Sequence, residues 1–232
     1  ELDLREPRAL EGRLRGLSFD ALVNCAALAD VERCELDRRE AKLVNAEAPG
    51  VLARACAERG ARFVHFSTDY VLDGAEEGLK NEEAPVRPLN HYARTKRRGE
   101  ELVLTENPDA LVGRVSWLFG TEPGGVVESV VRRSREGGPI RAVGDKFSKP
   151  TSVREIGRMT LALLGRGDLS GIFHLTHPGE PESWWSIACK VVALGREVGL
   201  VADGVQVIRE TMEQSGRMQA VRPVHTAMNP VR

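Results

Sequence analysis

Two residues at helical spacing carry the chain's clearest chemistry, Tyr92 and Lys96 in the run Tyr92-Ala93-Arg94-Thr95-Lys96. On a helix, positions i and i+4 stack on one face a few ångströms apart. An ammonium beside a phenol lowers the phenol's pKa from its ordinary value of about 10. Such a phenol protonates an alkoxide, or deprotonates an alcohol, near neutral pH. The same spacing also describes a tyrosine at a helix start with a solvated lysine, so the pair needs a third group. The run Phe63-Val64-His65-Phe66-Ser67-Thr68-Asp69-Tyr70-Val71 offers one. It sets Ser67, Thr68 and Asp69 just past the end of a buried apolar strand, the edge at which open α/β sheets bind ligands. A hydroxyl there can hydrogen-bond a carbonyl and polarise it towards hydride attack. Alone, the Ser-Thr-Asp cluster would serve as a turn or helix cap; a βαβ setting for both groups favours the chemical reading.

That setting is legible in the apolar pattern. Residues 20–27 form a continuous apolar run ending in small side chains, as expected of a strand buried on both faces. Ala41, Val44, Ala48, Val51, Leu52 and Ala55 recur at helical spacing between Arg38 and Arg59, with a kink or break expected at Pro49. Strands follow at residues 62–67 and 110–115, an acidic Gly- and Pro-bearing loop at 73–88, and a helix at 90–106. Helices at 125–135, 153–164 and 184–198, with extended segments at 140–143, 171–176 and 205–208, complete the pattern. Alternating strands and helices argue for a doubly wound parallel sheet, Rossmann-like, with a smaller α+β lobe in the C-terminal half. Residues 1–120 are assigned to a dinucleotide-binding domain and 121–232 to the remaining sheet elements and an interleaved substrate-binding lobe.

No G-x-G-x-x-G or G-x-x-G-x-x-G occurs in the 232 residues. A doubly wound nucleotide fold uses such a loop to bring backbone N–H groups against a pyrophosphate. Either the fold binds no dinucleotide, or its first βαβ unit lies upstream of Glu1; the abrupt opening in mid-pattern favours the second. The formal net charge of −1 gives no reason to expect nucleic acid or an anionic membrane as partner. No apolar run approaches the roughly 18 residues needed to cross a bilayer. Cys25, Cys34, Cys56 and Cys189 form no CxxC pair and read as small buried residues of a reducing, cytoplasmic compartment. His174, His177 and His225 lack the partners of a metal site. The pair Trp184-Trp185 reads as core packing at a helix start.

Ser67-Thr68-Asp69-Tyr70-Val71-Leu72-Asp73-Gly74, followed by Pro88-x-x-x-Tyr92-x-x-x-Lys96 with Gly99-Glu100, resembles the extended short-chain dehydrogenase/reductases. Among these the resemblance is closest to the dTDP-4-dehydrorhamnose reductases. It extends over Val23-Asn24-Cys25-Ala26-Ala27, Val44-Asn45-Ala46, the stretch Arg114 to Gly120, Pro150-Thr151, and Arg222-Pro223 with Thr226 to Asn229. It implies an NADPH- or NADH-dependent reduction of the 4-keto group of a nucleotide sugar, dTDP-4-dehydro-L-rhamnose above all. Tyr92 is implied to be the proton donor, Lys96 the residue that holds the nicotinamide ribose, and Thr68 the partner of the sugar carbonyl. Cofactor contacts are implied for Asp3, Leu4, Asn24, Cys25, Ala26, Ala27, Asn45, Ser67 and Ser116, besides Tyr92 and Lys96. Thr68, Asp69, Tyr70, Trp117 and Arg222 are implied to face the nucleotide sugar. The pattern departs from the family at Ala93, where glycine is usual, and in the loop from Asp145 to Thr151, with Phe147 for tyrosine and an unusual Lys149. A homodimer is compatible with the resemblance. Two alternatives stand beside it: a reductase of a different nucleotide sugar, and a non-catalytic relative similar to the regulatory β subunit of methionine adenosyltransferase; intact Tyr92, Lys96 and Thr68 argue for catalysis.

Overall fold

The computed structural model describes residues 2–120, 125–136, 138–216 and 219–230. In chain order, α1 (Pro7–Arg15) leads into β1 (Ala21–Asn24), then α2 (Val31–Leu36) and α3 (Arg38–Lys42). A π-helical turn (Leu43–Glu47) joins α3 to α4 (Ala48–Ala57), which precedes β2 (Arg62–Thr68) and a short 3₁₀ turn (Asp69–Val71). Next come α5 (His91–Glu106), β3 (Leu111–Val115), β4 (Leu118–Phe119), α6 (Val126–Glu136), β5 (Ile140–Val143), β6 (Phe147–Ser148) and β7 (Thr151–Ser152). The order closes with α7 (Val153–Leu164), β8 (Gly171–His174), β9 (Glu182–Ser183), α8 (Trp184–Glu197), β10 (Val207–Glu210) and α9 (Met212–Ser215).

β1, β2, β3 and β8 form one all-parallel sheet in that spatial order. Alternation along β2 explains its two covered faces. Phe63 turns into a cluster with Leu10, Leu14, Leu52, Cys56 and Val103 from α1, α4 and α5. Its neighbour Val64 joins Ile156 from α7 with Phe173 and Leu175 on the opposite face. A parallel sheet with helices on both faces is the Rossmann-like arrangement the apolar pattern implies. A separate cluster of Val130, Ile140, Ala188, Val192 and Val201 ties α6 and α8 to the parallel pair β5 and β10. Among the described residues no helix is long and apolar enough to cross a membrane.

Several expectations are corrected in detail. The first strand stops at Asn24 rather than running on to residue 27, because the Asn24 side-chain oxygen accepts from the Ala26 N–H at 3.1 Å and turns the chain. The break expected at Pro49 falls earlier, as the π turn over Leu43–Glu47. Pro49 itself sits in the first turn of α4, where a missing N–H is harmless. Helices α1 and α2 had no reading in the sequence pattern, and the late extended segment is Val207–Glu210 rather than 205–208. Cys25 is exposed and Cys189 only half-buried; Cys34 and Cys56 are buried as expected, and all four thiols are free.

The catalytic candidates ride on α5, and two features fix that helix. Asn90 caps it, its side-chain oxygen accepting from Ala93 N–H at 2.8 Å while its amide donates to the Val221 carbonyl at 2.9 Å. Gly99 lets it close on the π turn, since a Cβ there would collide with the Asn45 carbonyl oxygen and lie 3.5 Å from the His65 imidazole.

Candidate active site

Thr68 ends β2, and Tyr92 lies in the first turn of α5, so strand end and helix start meet at the carboxyl edge of the sheet. The Tyr92 hydroxyl lies near enough to Thr68 for the threonine to bear on its proton. Thr68 Oγ1 in turn accepts from the Tyr70 N–H at 3.2 Å and donates to Asp69 Oδ1 at 3.2 Å. The tyrosine, the hydroxyl and the strand end are therefore together, as the sequence suggested.

The expected effect of Lys96 on the phenol is corrected. Burial pushes Tyr92 up to about 12, with Thr68 pulling the other way and Lys96 absent from the balance. The lysine chain runs back under the strand, where Nζ donates to the Phe66 carbonyl at 2.6 Å and lies 3.4 Å from His65 Nε2. Helical spacing brings the two Cβ atoms to one face but does not decide where a flexible four-carbon chain ends. Lys96 is 2% exposed, and burial lowers its pKa to about 8.

Asp69 is the hub of the site. It is 2% exposed. Its Oδ2 accepts from Ser116 Oγ at 3.0 Å, Ser148 Oγ at 2.9 Å and Thr226 Oγ1 at 2.5 Å, with Thr68 on Oδ1. One carboxylate thereby joins the ends of β2, β3 and β6 and the C-terminal segment. With its oxygens occupied, Asp69 orders hydroxyls, and Ser116 belongs to this hub. Tyr70 sets its ring edge-on to Tyr92, centroids 5.9 Å apart, and Lys146 Nζ lies 4.6 Å over the Tyr70 ring and 5.8 Å from that of Trp117. Lys146 is fully buried, donates to the Pro223 carbonyl at 2.7 Å, and is brought down to about 8 by burial, partly offset by Asp69. Trp117 holds a left-handed φ of 40° against Trp184, its indole nitrogen enclosed without a partner. Strain of this kind in a non-glycine residue concentrates at functional sites.

Arg222 donates to Glu32 Oε1 at 2.8 Å and to the Ala220 carbonyl at 3.0 Å. Glu32 also accepts the backbone N–H groups of Gln219 and Ala220 at 3.2 and 3.0 Å. The arginine is thus fixed at the edge of the site by a carboxylate from α2.

The cofactor candidates divide. Asp3, Leu4, Ala26 and Ala27 line one cleft of about 560 Å³, with Leu28 and Val44. Asn24 ends β1, and Cys25, Ala26 and Ala27, all exposed, follow it. Asp3 itself is bound by the Arg5 guanidinium, which holds its carboxyl down at about 2. Asn45 and Ser67 are not brought to this cleft. Asn45 is fully buried and its amide closes on Leu28, donating to the carbonyl at 3.0 Å and accepting from the N–H at 2.9 Å. It shapes the loop that lines the cleft without entering it. Ser67 points to the α5 face of β2, where Oγ donates to Glu100 Oε1 at 2.6 Å. Alternation on a strand dictates this: if Thr68 serves the site, its neighbour faces away.

Sequence reasoning passed over His65, Lys146, Ser148 and Thr226. All four lie inside or next to the quoted motifs, so the signal available was polar residues in otherwise apolar or tightly packed runs. Nothing in their spacing foretold that Ser148 and Thr226, 79 and 157 positions from Asp69, would share its carboxylate.

Residues 1–231 match the family described as RmlD substrate binding domain. The chain is 35% identical over 228 residues to a probable dTDP-4,6-dihydroxy-2-methyloxan-3-one 4-ketoreductase of Streptomyces antibioticus, covering 98% of this chain and 75% of that protein. It is 35% identical over 206 residues to a dTDP-4-dehydrorhamnose reductase of Burkholderia thailandensis, covering 85% and 69%. Among solved structures, a dTDP-4-dehydrorhamnose reductase of Bacillus anthracis in complex with NADP superposes with a TM-score of 0.91 at 27% identity, over 99% of this chain and 78% of that one.

Proposed function

The chain belongs to the RmlD substrate binding domain family, and on that premise we propose that Tyr92, Thr68 and Lys96 form the active site of an NAD(P)H-dependent reductase acting on the 4-keto group of a dTDP-linked sugar. The named relatives support the reaction, and the NADP-bound neighbour supports the cofactor. As substrate we assign dTDP-4-dehydro-L-rhamnose, reduced to dTDP-L-rhamnose. Residues 1–120 are taken as the cofactor-binding part and 121–232 as the remaining sheet elements with the sugar-binding lobe.

The observation that carries the reading is the Tyr92 hydroxyl meeting Thr68 at the carboxyl edge of a parallel sheet. The donor set fits a dinucleotide on one side: the cleft beside Asp3, Leu4, Ala26 and Ala27 has small side chains where a flat base or sugar must approach closely, and a buried amine at Lys96 lies at the strand end. Bound NAD(P)H supplies the hydride that adds to C4 of the sugar and leaves an oxyanion. A phenol held at about 12 keeps its proton at neutral pH, the state required to donate it to that oxyanion. Thr68 Oγ1, fixed by the Tyr70 N–H, is placed to hydrogen-bond the same oxygen when its one proton turns from Asp69 Oδ1 to the sugar. Tyr70, Trp117 and Arg222 form the wall on which we place the nucleotide sugar.

The test is oxidation of NAD(P)H by the purified protein with a dTDP-4-keto-6-deoxy sugar, and by Tyr92→Phe. Loss of the proton donor should lower kcat/KM about 10²- to 10⁴-fold. A Tyr92→Phe rate equal to that of the unaltered protein, or no turnover at all, would defeat the reading; the second result would favour the regulatory alternative.

A further inference from the structure

Behind the active-site lysine, Lys96, a buried polar chain continues through two groups that the reaction as described does not use, His65 and Asn24. The Asn24 amide nitrogen is 3.0 Å from His65 Nδ1, and His65 Nε2 is 3.4 Å from Lys96 Nζ. Donor and acceptor roles along it can be worked out. Asn24 Oδ1 accepts from the Ala26 N–H at 3.1 Å, and turning the amide over would set two donors against each other. The NH₂ group must therefore face the imidazole, which makes Nδ1 an acceptor. A neutral imidazole with Nδ1 as acceptor carries its proton on Nε2. That N–H points at Lys96 Nζ.

An ammonium has three donors and no acceptor, so it would meet the Nε2–H donor to donor. A neutral amine has a lone pair to receive that proton while still donating to the Phe66 carbonyl. We propose that His65 is a positioning residue for Lys96: held as the Nε2–H tautomer by Asn24, it favours the uncharged amine and sets the pH at which the lysine changes charge. The proposal rests on the reading of Lys96 as an active-site group.

The surroundings agree. His65 is fully buried, and desolvation together with Lys96 holds its pKa well below the usual histidine range, so it is neutral across the working range. The other titratable groups around Lys96 are Cys34 from α2 and Glu100 and Tyr92 from its own helix; Cys34 and Glu100 favour the ammonium. Cys34, raised to about 11 chiefly by burial, is an uncharged thiol at neutral pH. Glu100 is already held by Arg114, Ser67 and Arg97. Burial outweighs both and brings Lys96 down to about 8.

Long-range ¹⁵N–¹H correlation on histidine-labelled protein reads the tautomer directly, and His65→Gln identifies the resonances of His65 among the five histidines. The expected result is a neutral Nε2–H imidazole from about pH 6 to about pH 10, whose Nε2 shift inflects once near pH 8 and loses the inflection in Lys96→Met. In kinetics, His65→Gln offers the lysine a carbonyl acceptor, so the ionisation assigned to Lys96 in the kcat/KM profile should rise by about one to two pH units, the size of one hydrogen bond to a charged group. An Nδ1–H tautomer, an Nε2 shift that ignores Lys96, or an unmoved profile in a folded His65→Gln protein would overturn the proposal. A purely structural role would lower the rate without moving the profile. The spectroscopic arm needs no turnover, so failure of the reductase reading would leave it standing and be recognised separately.

Discussion

Glu100 gives the sharpest test of how the site is held. Its carboxylate is fully buried and accepts from Arg114 Nε and Nη2 at 2.9 Å each, from Ser67 Oγ at 2.6 Å and from Arg97 Nη1 at 2.9 Å. Arg114 is equally enclosed, and its other contact is His174 Nε2 at 3.5 Å. Glu100→Gln keeps the shape and removes the charge, leaving a guanidinium in the interior without its counter-ion. Breaking a buried pair from one side costs about 3–5 kcal/mol. With an m-value of about 3 kcal/mol/M, urea unfolding should show a midpoint lowered by about 1–2 M. Arg97→Ala, which removes a half-exposed partner, should cost no more than about 1 kcal/mol. The sign of the pH dependence follows from Glu100 being held below the usual carboxylate range, chiefly by Arg114 against the opposing cost of burial. Its contribution is complete above the unfolded pKa and disappears as pH falls through the lower folded value. The unaltered protein should therefore lose the difference from Glu100→Gln only in acid, below about pH 4.5. A midpoint shift under about 0.3 M at neutral pH would refute the claim that this pair anchors β3 to α5.

His174 is nearly buried, and desolvation depresses its pKa from 6.5 to about 4. The unfolded chain binds that proton first, so stability should fall as pH drops from about 6.5 to about 4. His174→Asn, which keeps a donor for the Lys80 carbonyl, should flatten the slope of urea midpoint against pH; an unchanged slope would exclude the histidine as its source. Asn90→Ala removes the cap of α5 and the tie to Val221 two residues before the proton donor. It should lower stability by about 0.5–2 kcal/mol and reduce kcat/KM as well, and full activity in a thermally destabilised variant would show that the cap does not position Tyr92.

How far the sequence could be read follows from how local each cause is. β5 and α7 fall on the residues their apolar periodicity indicates, because burial of one stripe or run is decided within the segment. α1 and α2 escaped notice for the converse reason. Six residues of α2 present one buried side chain, Cys34, and take their stability from the Asp30 cap and from packing against distant α5. Asn45 and Ser67 were expected to touch cofactor on the strength of motif position. A motif marks a place on the chain, while the direction of a side chain follows from the strand's alternation and from the partner that meets it.

The sequence by itself determined the parallel α/β architecture, the strand end that presents Thr68, and the helix that carries Tyr92 and Lys96. Each depends on patterns of period 2 or 3.6 within one segment. Only the tertiary structure decided that Lys96 Nζ meets His65 and the Phe66 carbonyl, and that burial raises the Tyr92 pKa. It also decided that Asp69 gathers hydroxyls from Ser116, Ser148 and Thr226. The reason is one of range. Desolvation and hydrogen-bond partnership depend on which distant segments close over a group, and no spacing along the chain encodes that closure.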